Sequence, residues 1–231
     1  MGSIKKFQIN RAENTHGWNA LFSSLAFAEK AAADECLKIA QRFRSQGLAV
    51  LAEEYEQLAV EETRHHELAI SVAREIVPLT PCAETIYAGE FFTSGGPVLE
   101  RLMSVHFVFE PSALAFLGYI ASHSHELISD TEWADQITDA FKQIVFDEVD
   151  HVYTGGKLIK TFWARATPEE RKIALKTMRK HRAFLKAGLL SFFPKNSVQR
   201  PVALKMLQRF DFYYEKAMKG VRDAEPTKIA S

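Results

Sequence analysis

The sequence predicts an all-α fold, a four-helix bundle with one long crossover and two additional C-terminal helices. Three observations carry that prediction. Apolar residues recur with a helical period through six long stretches. Only 8 prolines and 11 glycines occur in 231 residues, and most fall between those stretches. The chain also repeats one plan twice. In each half a helix with an inward-facing Glu, a turn, and a second helix carrying Glu-x-x-His follow in order.

The first helix is expected from about Trp18 to Ser45, with Phe22, Leu25, Ala26, Ala33, Cys36 and Ala40 on one face. Residues 1–14 read as a polar lead-in. Gln46-Gly47 stops this helix, and the short break makes the second, about Leu48 to Ile76, its antiparallel partner. The inward stripe of that second helix is Leu51, Tyr55, Leu58, Glu62, His65, Ala69, Val72 and Ile76. Pro78, Pro81 and Gly95-Gly96 mark Val77 to Gly96 as the crossover, with a short helix near Glu84 to Phe91. The third helix runs from about Pro97 to Ser122, with proline in its first turn. Ser129-Asp130-Thr131-Glu132 is a capping box that opens the fourth, which reaches about Ala164. Thr167-Pro168-Glu169-Glu170 opens the fifth, to about Phe193. Val202 to Val221 forms the sixth. The whole reads as a single domain, residues 15–165 being the bundle and 166–231 the appended helices.

Formal net charge is zero, which gives the chain no general pull towards nucleic acid or acidic membranes. Two cysteines, Cys36 and Cys82, stand in neither metal-binding nor redox spacing, so a disulfide framework is not expected. The N-terminus lacks a signal-peptide core. The longest apolar run, Val105 to Ala121, contains Glu110. A soluble cytoplasmic protein is the expectation.

Glu62-Thr63-Arg64-His65 and Glu148-Val149-Asp150-His151 are the chemically informative segments. Residues three apart on a helix project from one face. Here that face is apolar, where a free carboxylate is costly to bury. A third match, Glu13 to His16, lies in polar sequence and receives no role. Level-matching finds the remaining partners, because both arms of a helical hairpin rise by about 1.5 Å per residue. Glu62 then lies opposite Glu29, on the Phe22–Cys36 face. Glu35 falls a turn nearer the loop and off the stripe, and reads as solvated or supporting. Glu148 lies opposite Glu110, within SVHFVFEPSALAF. Metal-bound His usually gives its second ring nitrogen to a carboxylate. Asp147 is therefore expected to hold His65 and Glu61 to hold His151. Arg64 with Asp150 is either a further cross-pair or two surface charges.

This pattern resembles the ferritin-like di-iron carboxylate superfamily, which includes rubrerythrins, bacterioferritins and di-iron oxygenases, over about residues 18–160. The resemblance implies six metal ligands, Glu29, Glu62, His65, Glu110, Glu148 and His151, with Glu62 and Glu148 bridging. It implies two iron ions as cofactor, with manganese or a mixed manganese–iron pair as alternatives. It also implies an O2-activating oxygenase or oxidase acting on a small apolar or aromatic substrate by hydroxylation, N-oxygenation or oxidative cleavage. The alternative is a peroxide-scavenging or iron-handling protein of the rubrerythrin or bacterioferritin kind. No rubrerythrin-type electron-transfer module and no haem-binding Met position are evident.

Phe22, Phe107, Leu114 and Tyr119, together with Phe109 and Phe116, are either a substrate pocket or simply bundle core. His106, one turn before Glu110, is read as a supporting side chain with a seventh-ligand role as the alternative. Pro111 removes a helical hydrogen bond and should kink the third helix beside Glu110. The fifth helix is crowded with Arg171, Lys172, Lys176, Arg179, Lys180, Arg182 and Lys186. It is either a solvated face or a dock for an electron donor or acidic carrier protein. The expected partners are thus O2, a small-molecule substrate and that protein. A homodimer is also entertained, whereas nucleic acid and membrane are not.

Overall fold

A computed structural model describes residues 11–78, 98–192 and 200–222. Among them there are six long helices and no strand. α1 is Arg11–Ser45 and α2 is Ala49–Val72. α3 runs through Val98–Ser104, a π-helical segment Val105–Phe109 and Glu110–Leu127. α4 is Thr131–Arg165, α5 is Pro168–Phe192 and α6 is Arg200–Arg222. α1 packs on α2, α3 on α4, and α2 on α4, while α5 and α6 cover α3.

The α1–α2 turn closes as its sequence requires. Gly47 adopts φ +74°, a left-handed conformation open to glycine without a side-chain clash. The amides of Gly47 and Leu48 reach back to the carbonyls of Arg44 (3.1 Å) and Phe43 (2.9 Å). α1 begins by Arg11, several residues ahead of the expected Trp18. α2 stops at Val72, a turn short of Ile76, which is exposed rather than inward. The backbone there finds side-chain partners instead. Arg74 N–H donates to Asn19 Oδ1 (3.1 Å), Val77 N–H to Ser23 Oγ (2.9 Å), and the Trp133 indole to the Val72 carbonyl (2.7 Å). The proposed short helix in the crossover lies outside the described residues.

α3 is apolar and buried on several sides, with Leu102, Met103, Val108, Ala115, Leu117 and Ile120 in the core. By length and composition it is long enough to cross a membrane, but 78% of its most apolar window is buried by the other helices. Packing therefore accounts for its composition. It extends to Leu127, beyond the expected Ser122. Where a kink was expected at Pro111, the helix has a π-helical segment just before it, in which Glu110 N–H bonds the Val105 carbonyl. The wider turn relieves the pressure of the Pro111 ring on the preceding carbonyls.

Asp130, rather than Ser129, caps α4 by accepting from Trp133 N–H at 3.0 Å. The Thr167–Glu170 box caps α5, with Glu170 N–H donating to Thr167 Oγ1 (3.2 Å) and Thr167 N–H to Glu170 Oε2 (2.7 Å). On α5, Arg182 (2.7 Å) and Lys186 (2.8 Å) hold Asp211 of α6, so part of the basic face serves to dock that helix.

Glu35 is buried in an ion pair with Arg101 at the start of α3, and is not solvated. This pairing has no separate signal in the sequence, since Arg101 is a lone cation in an apolar run. Arg101→Met leaves Glu35 buried with only Lys38, at 3.7 Å, for compensation. The variant should lose about 3 kcal/mol of stability, measured by urea unfolding.

Candidate metal centre

All six predicted ligands converge inside the bundle. Glu29 comes from α1, Glu62 and His65 from α2, Glu110 from α3, and Glu148 and His151 from α4; none is more than 6% exposed. They form two overlapping groups, Glu29–Glu62–His65–Glu148 and Glu62–Glu110–Glu148–His151, in each of which the ligand atoms lie within 4.8 Å of one another. Glu62 and Glu148 belong to both. Glu62 turns Oε2 to His65 Nδ1 (3.5 Å) and Oε1 to His151 Nδ1 (3.4 Å). Glu148 turns Oε1 to His65 Nδ1 (3.4 Å) and Oε2 to His151 Nδ1 (3.5 Å). His151 Nδ1 also lies 3.6 Å from Glu110 Oε2.

These separations exceed good hydrogen-bond lengths. Glu62 Oε1, His65 Nδ1, both Glu148 oxygens and His151 Nδ1 are buried without a hydrogen-bond partner among the described residues. Buried polar atoms without partners are costly. Potential electron-pair donors gathered around two points fit a pair of cations, and four carboxylates balance two divalent charges. The donors are hard oxygens with one imidazole per group, a set suited to iron or manganese.

Each imidazole is oriented from behind. Asp147 faces His65 Nε2 at 2.9 Å, and Glu61 faces His151 Nε2 at 3.0 Å. With Nε2–H donating outward, Nδ1 faces the cluster and offers its lone pair to a cation once its proton is displaced. Gln57 Nε2 supports Glu61 at 3.1 Å. Arg64 pairs with Asp147 and not with Asp150. The two His–carboxylate contacts set α2 antiparallel to α4 in a register that puts Asp150 level with Glu62, past the reach that favours Arg64. Asp150 is exposed instead, on the rim of a cavity.

Charge within the cluster follows from burial and proximity. Burial, then Glu62 and Glu148, raise the pKa of Glu29 well above its usual value. Burial, then Glu148, push Glu110 up to about 7. Burial opposes an imidazolium at His65, but Glu148 and Glu62 outweigh it and raise the pKa to about 11. His151 is raised likewise, where Glu110 and Glu148 outweigh burial. Burial also opposes the charge of Glu148, yet Glu110 and both imidazoles leave its pKa lowered. Cations arriving here must therefore displace protons from the two imidazoles.

The signs agree for stability. His65 stabilises the chain fully below its ordinary value of about 6.5, and that contribution is lost as pH rises through about 11. The Glu110 contribution is complete below about 4.5 and is lost as pH rises through about 7. Metal affinity should accordingly strengthen with pH, with more than two protons released per chain loaded at pH 7: one from each imidazole, about half from Glu110 and a further share from Glu29. Calorimetry in buffers of different ionisation enthalpy counts them. Binding without proton release would contradict this charge assignment.

His106 sits in the π-helical segment. Its Nε2 meets Tyr55 Oη at 2.6 Å, and its Nδ1 has no hydrogen-bond partner and lies 4.0 Å from Glu110 Oε1. Burial lowers its pKa to about 4, so the ring is neutral at ordinary pH. The Cys36 thiol is also buried near the carboxylates. Burial first, then Glu62, Glu110 and Glu148, raise its pKa well above the usual value and keep it protonated.

A cavity of about 260 Å³ opens between α2 and α4 beside His151 and His106. Its lining includes Tyr55, Leu58 and Leu158 at the apolar side, and Glu54, Asp150 and Thr154 at the exposed side. Of the two readings of the aromatic stripe, pocket or core, the second applies: it does not line this cavity. Phe22, Phe107, Leu114, Phe116 and Tyr119 are buried core. Phe22 packs against Phe141 (5.4 Å) and Trp133 (6.0 Å), and Phe116 against Phe210 (6.0 Å). An apolar stripe on a bundle helix fills the interior before it lines a cavity.

Gly155 was missed by the sequence reading. A Cβ there would stand 2.0 Å from His106 Cγ, so only glycine lets the imidazole lie against α4. The available signal was a Gly-Gly pair inside a helix, which marks a close approach. No protein-family model, curated protein or solved structure matches this chain.

Proposed function

We propose that this chain is a dinuclear non-haem iron enzyme of the ferritin-like kind, an oxygenase or oxidase using O2 on a small organic substrate. One observation carries the reading: six buried ligand side chains form two groups that share Glu62 and Glu148. When bound, two ferrous ions would supply the electrons and open coordination positions that O2 requires. The protein's part is to hold the ligands from four helices, fix both imidazoles through Asp147 and Glu61, and exclude water.

The cavity beside His151 supports action on an organic substrate over peroxide scavenging or iron handling. Its apolar side suits the body of the substrate, and its carboxylate rim favours one bearing a hydrogen-bond donor or a positive charge. Hydroxylation of such a substrate consumes one O2, two electrons and two protons, and yields the alcohol and water. An acidic one-electron donor protein is the reductant this reading calls for. The groove of about 560 Å³ edged by Arg171, Lys172, Lys176 and Arg179 offers it a complementary surface.

The test is anaerobic loading with ferrous iron followed by a pulse of O2. Saturation at two irons per chain, with O2 uptake and a transient visible absorption, supports the reading. Iron accumulating well beyond two per chain would instead mark an iron-handling protein. Loading without O2 uptake would overturn the oxygenase.

A further inference from the structure

The outer face of α4, opposite Glu148 and His151, carries an apolar stripe that is exposed among the described residues. Phe146 is 75% exposed, Val149 52% and Tyr153 63%. Their spacing puts all three on one line along the helix. Isolated exposed apolar residues are ordinary, whereas a contiguous stripe of three marks a contact surface. Its continuation is charged and ordered. Asp135, Asp139 and Lys142 precede Phe146, and Lys157 and Lys160 follow Tyr153, all exposed on the same line.

We propose that this stripe pairs two copies of the chain through antiparallel α4 helices related by a twofold axis between residues 147 and 148. That arrangement sets both acids of the stripe against lysines. Phe146 of one copy meets Val149 of the other. Lys142, four residues before Phe146, faces Tyr153, four residues after Val149. A cation over an aromatic ring is favourable, and Lys157 already lies 3.9 Å from the Tyr153 ring centre within one chain. Asp139, seven residues before Phe146, faces Lys157, eight after Val149. Asp135 and Lys160 stand eleven residues from the same two centres. A parallel pairing would set acid on acid and lysine on lysine. The twofold makes each contact occur twice, as in any isologous dimer.

The pairing also bears on the cavity. Asp150 and Thr154 on its rim directly follow Val149 and Tyr153, so the second copy borders the mouth. The inference stands independently of the metal centre.

Sedimentation equilibrium of the full chain tests it. At about 50 µM the species should have twice the 26.1 kDa chain mass. Phe146→Asp should weaken association more than about 100-fold. Asp139→Lys should weaken it about tenfold, because two reciprocal pairs become repulsive. Adding Lys157→Asp to Asp139→Lys should restore wild-type association. All three positions are exposed, so the far-UV dichroism of each variant should match the wild type. A monomeric wild type, a dimer indifferent to Phe146→Asp, or a double variant as weak as Asp139→Lys alone would each overturn the proposal.

Discussion

Replacing Glu148 by alanine should abolish binding of both cations, not one. Its two oxygens face His65 and His151 separately, at 3.4 Å and 3.5 Å, and it belongs to both ligand groups. Removing it strips each group of a carboxylate and leaves four negative donors reduced to three. Metal affinity should fall by more than about 100-fold, beyond the 10–100-fold typical of losing a supporting residue. Asp147→Ala provides that smaller comparison, because of the six clustered side chains Asp147 touches only His65, its other partner being Arg64. Glu29→Ala should weaken mainly one of the two cations, since Glu29 belongs to one group. Titration with ferrous iron or manganese, read by metal analysis, separates the three. Equal losses for Glu29 and Glu148 would contradict the bridging role.

Gly155→Ala should destabilise the protein by more than about 3 kcal/mol, above the usual range for an added methyl in a packed core. The new Cβ would meet His106 at Cγ (2.0 Å), Nδ1 (2.2 Å) and Cβ (2.5 Å). Those atoms are at the root of the side chain, so rotating the ring cannot relieve the overlap. Either α3 and α4 must part or His106 must leave Tyr55. Gly156→Ala is the control: a Cβ there meets nothing within 4 Å, and alanine favours a helix. Thermal unfolding should show a large loss for the first and no loss for the second. Equal behaviour would mean that His106 does not occupy this position.

The convergence of these six side chains was legible because helical geometry is periodic and hairpins have calculable levels. Choosing Glu29 over Glu35 needed only the position of Gly47 and a common rise per residue. The carboxylate supports, Asp147 for His65 and Glu61 for His151, followed from the repeat of one plan. Contacts between helices not joined by a short loop were less accessible. Arg64 meets Asp147 and not Asp150 because the α2–α4 register emerges only from packing. Glu35 meets Arg101 because two distant charges found one another inside the core. The aromatic stripe pointed to a pocket, yet sequence alone does not distinguish a ring that fills a core from one that lines a cavity. The π-helical segment had a cause in view at Pro111, but the resulting shape is a property of the surrounding packing.

The most direct test is the position and number of bound cations. Crystals grown with manganese and measured for anomalous scattering should show two peaks per chain, about 3.5–4 Å apart, flanked by Glu62 and Glu148. One should lie on the Glu29–His65 side and the other on the Glu110–His151 side. A single peak, none, or peaks elsewhere with these six side chains turned to one another would contradict a dinuclear centre.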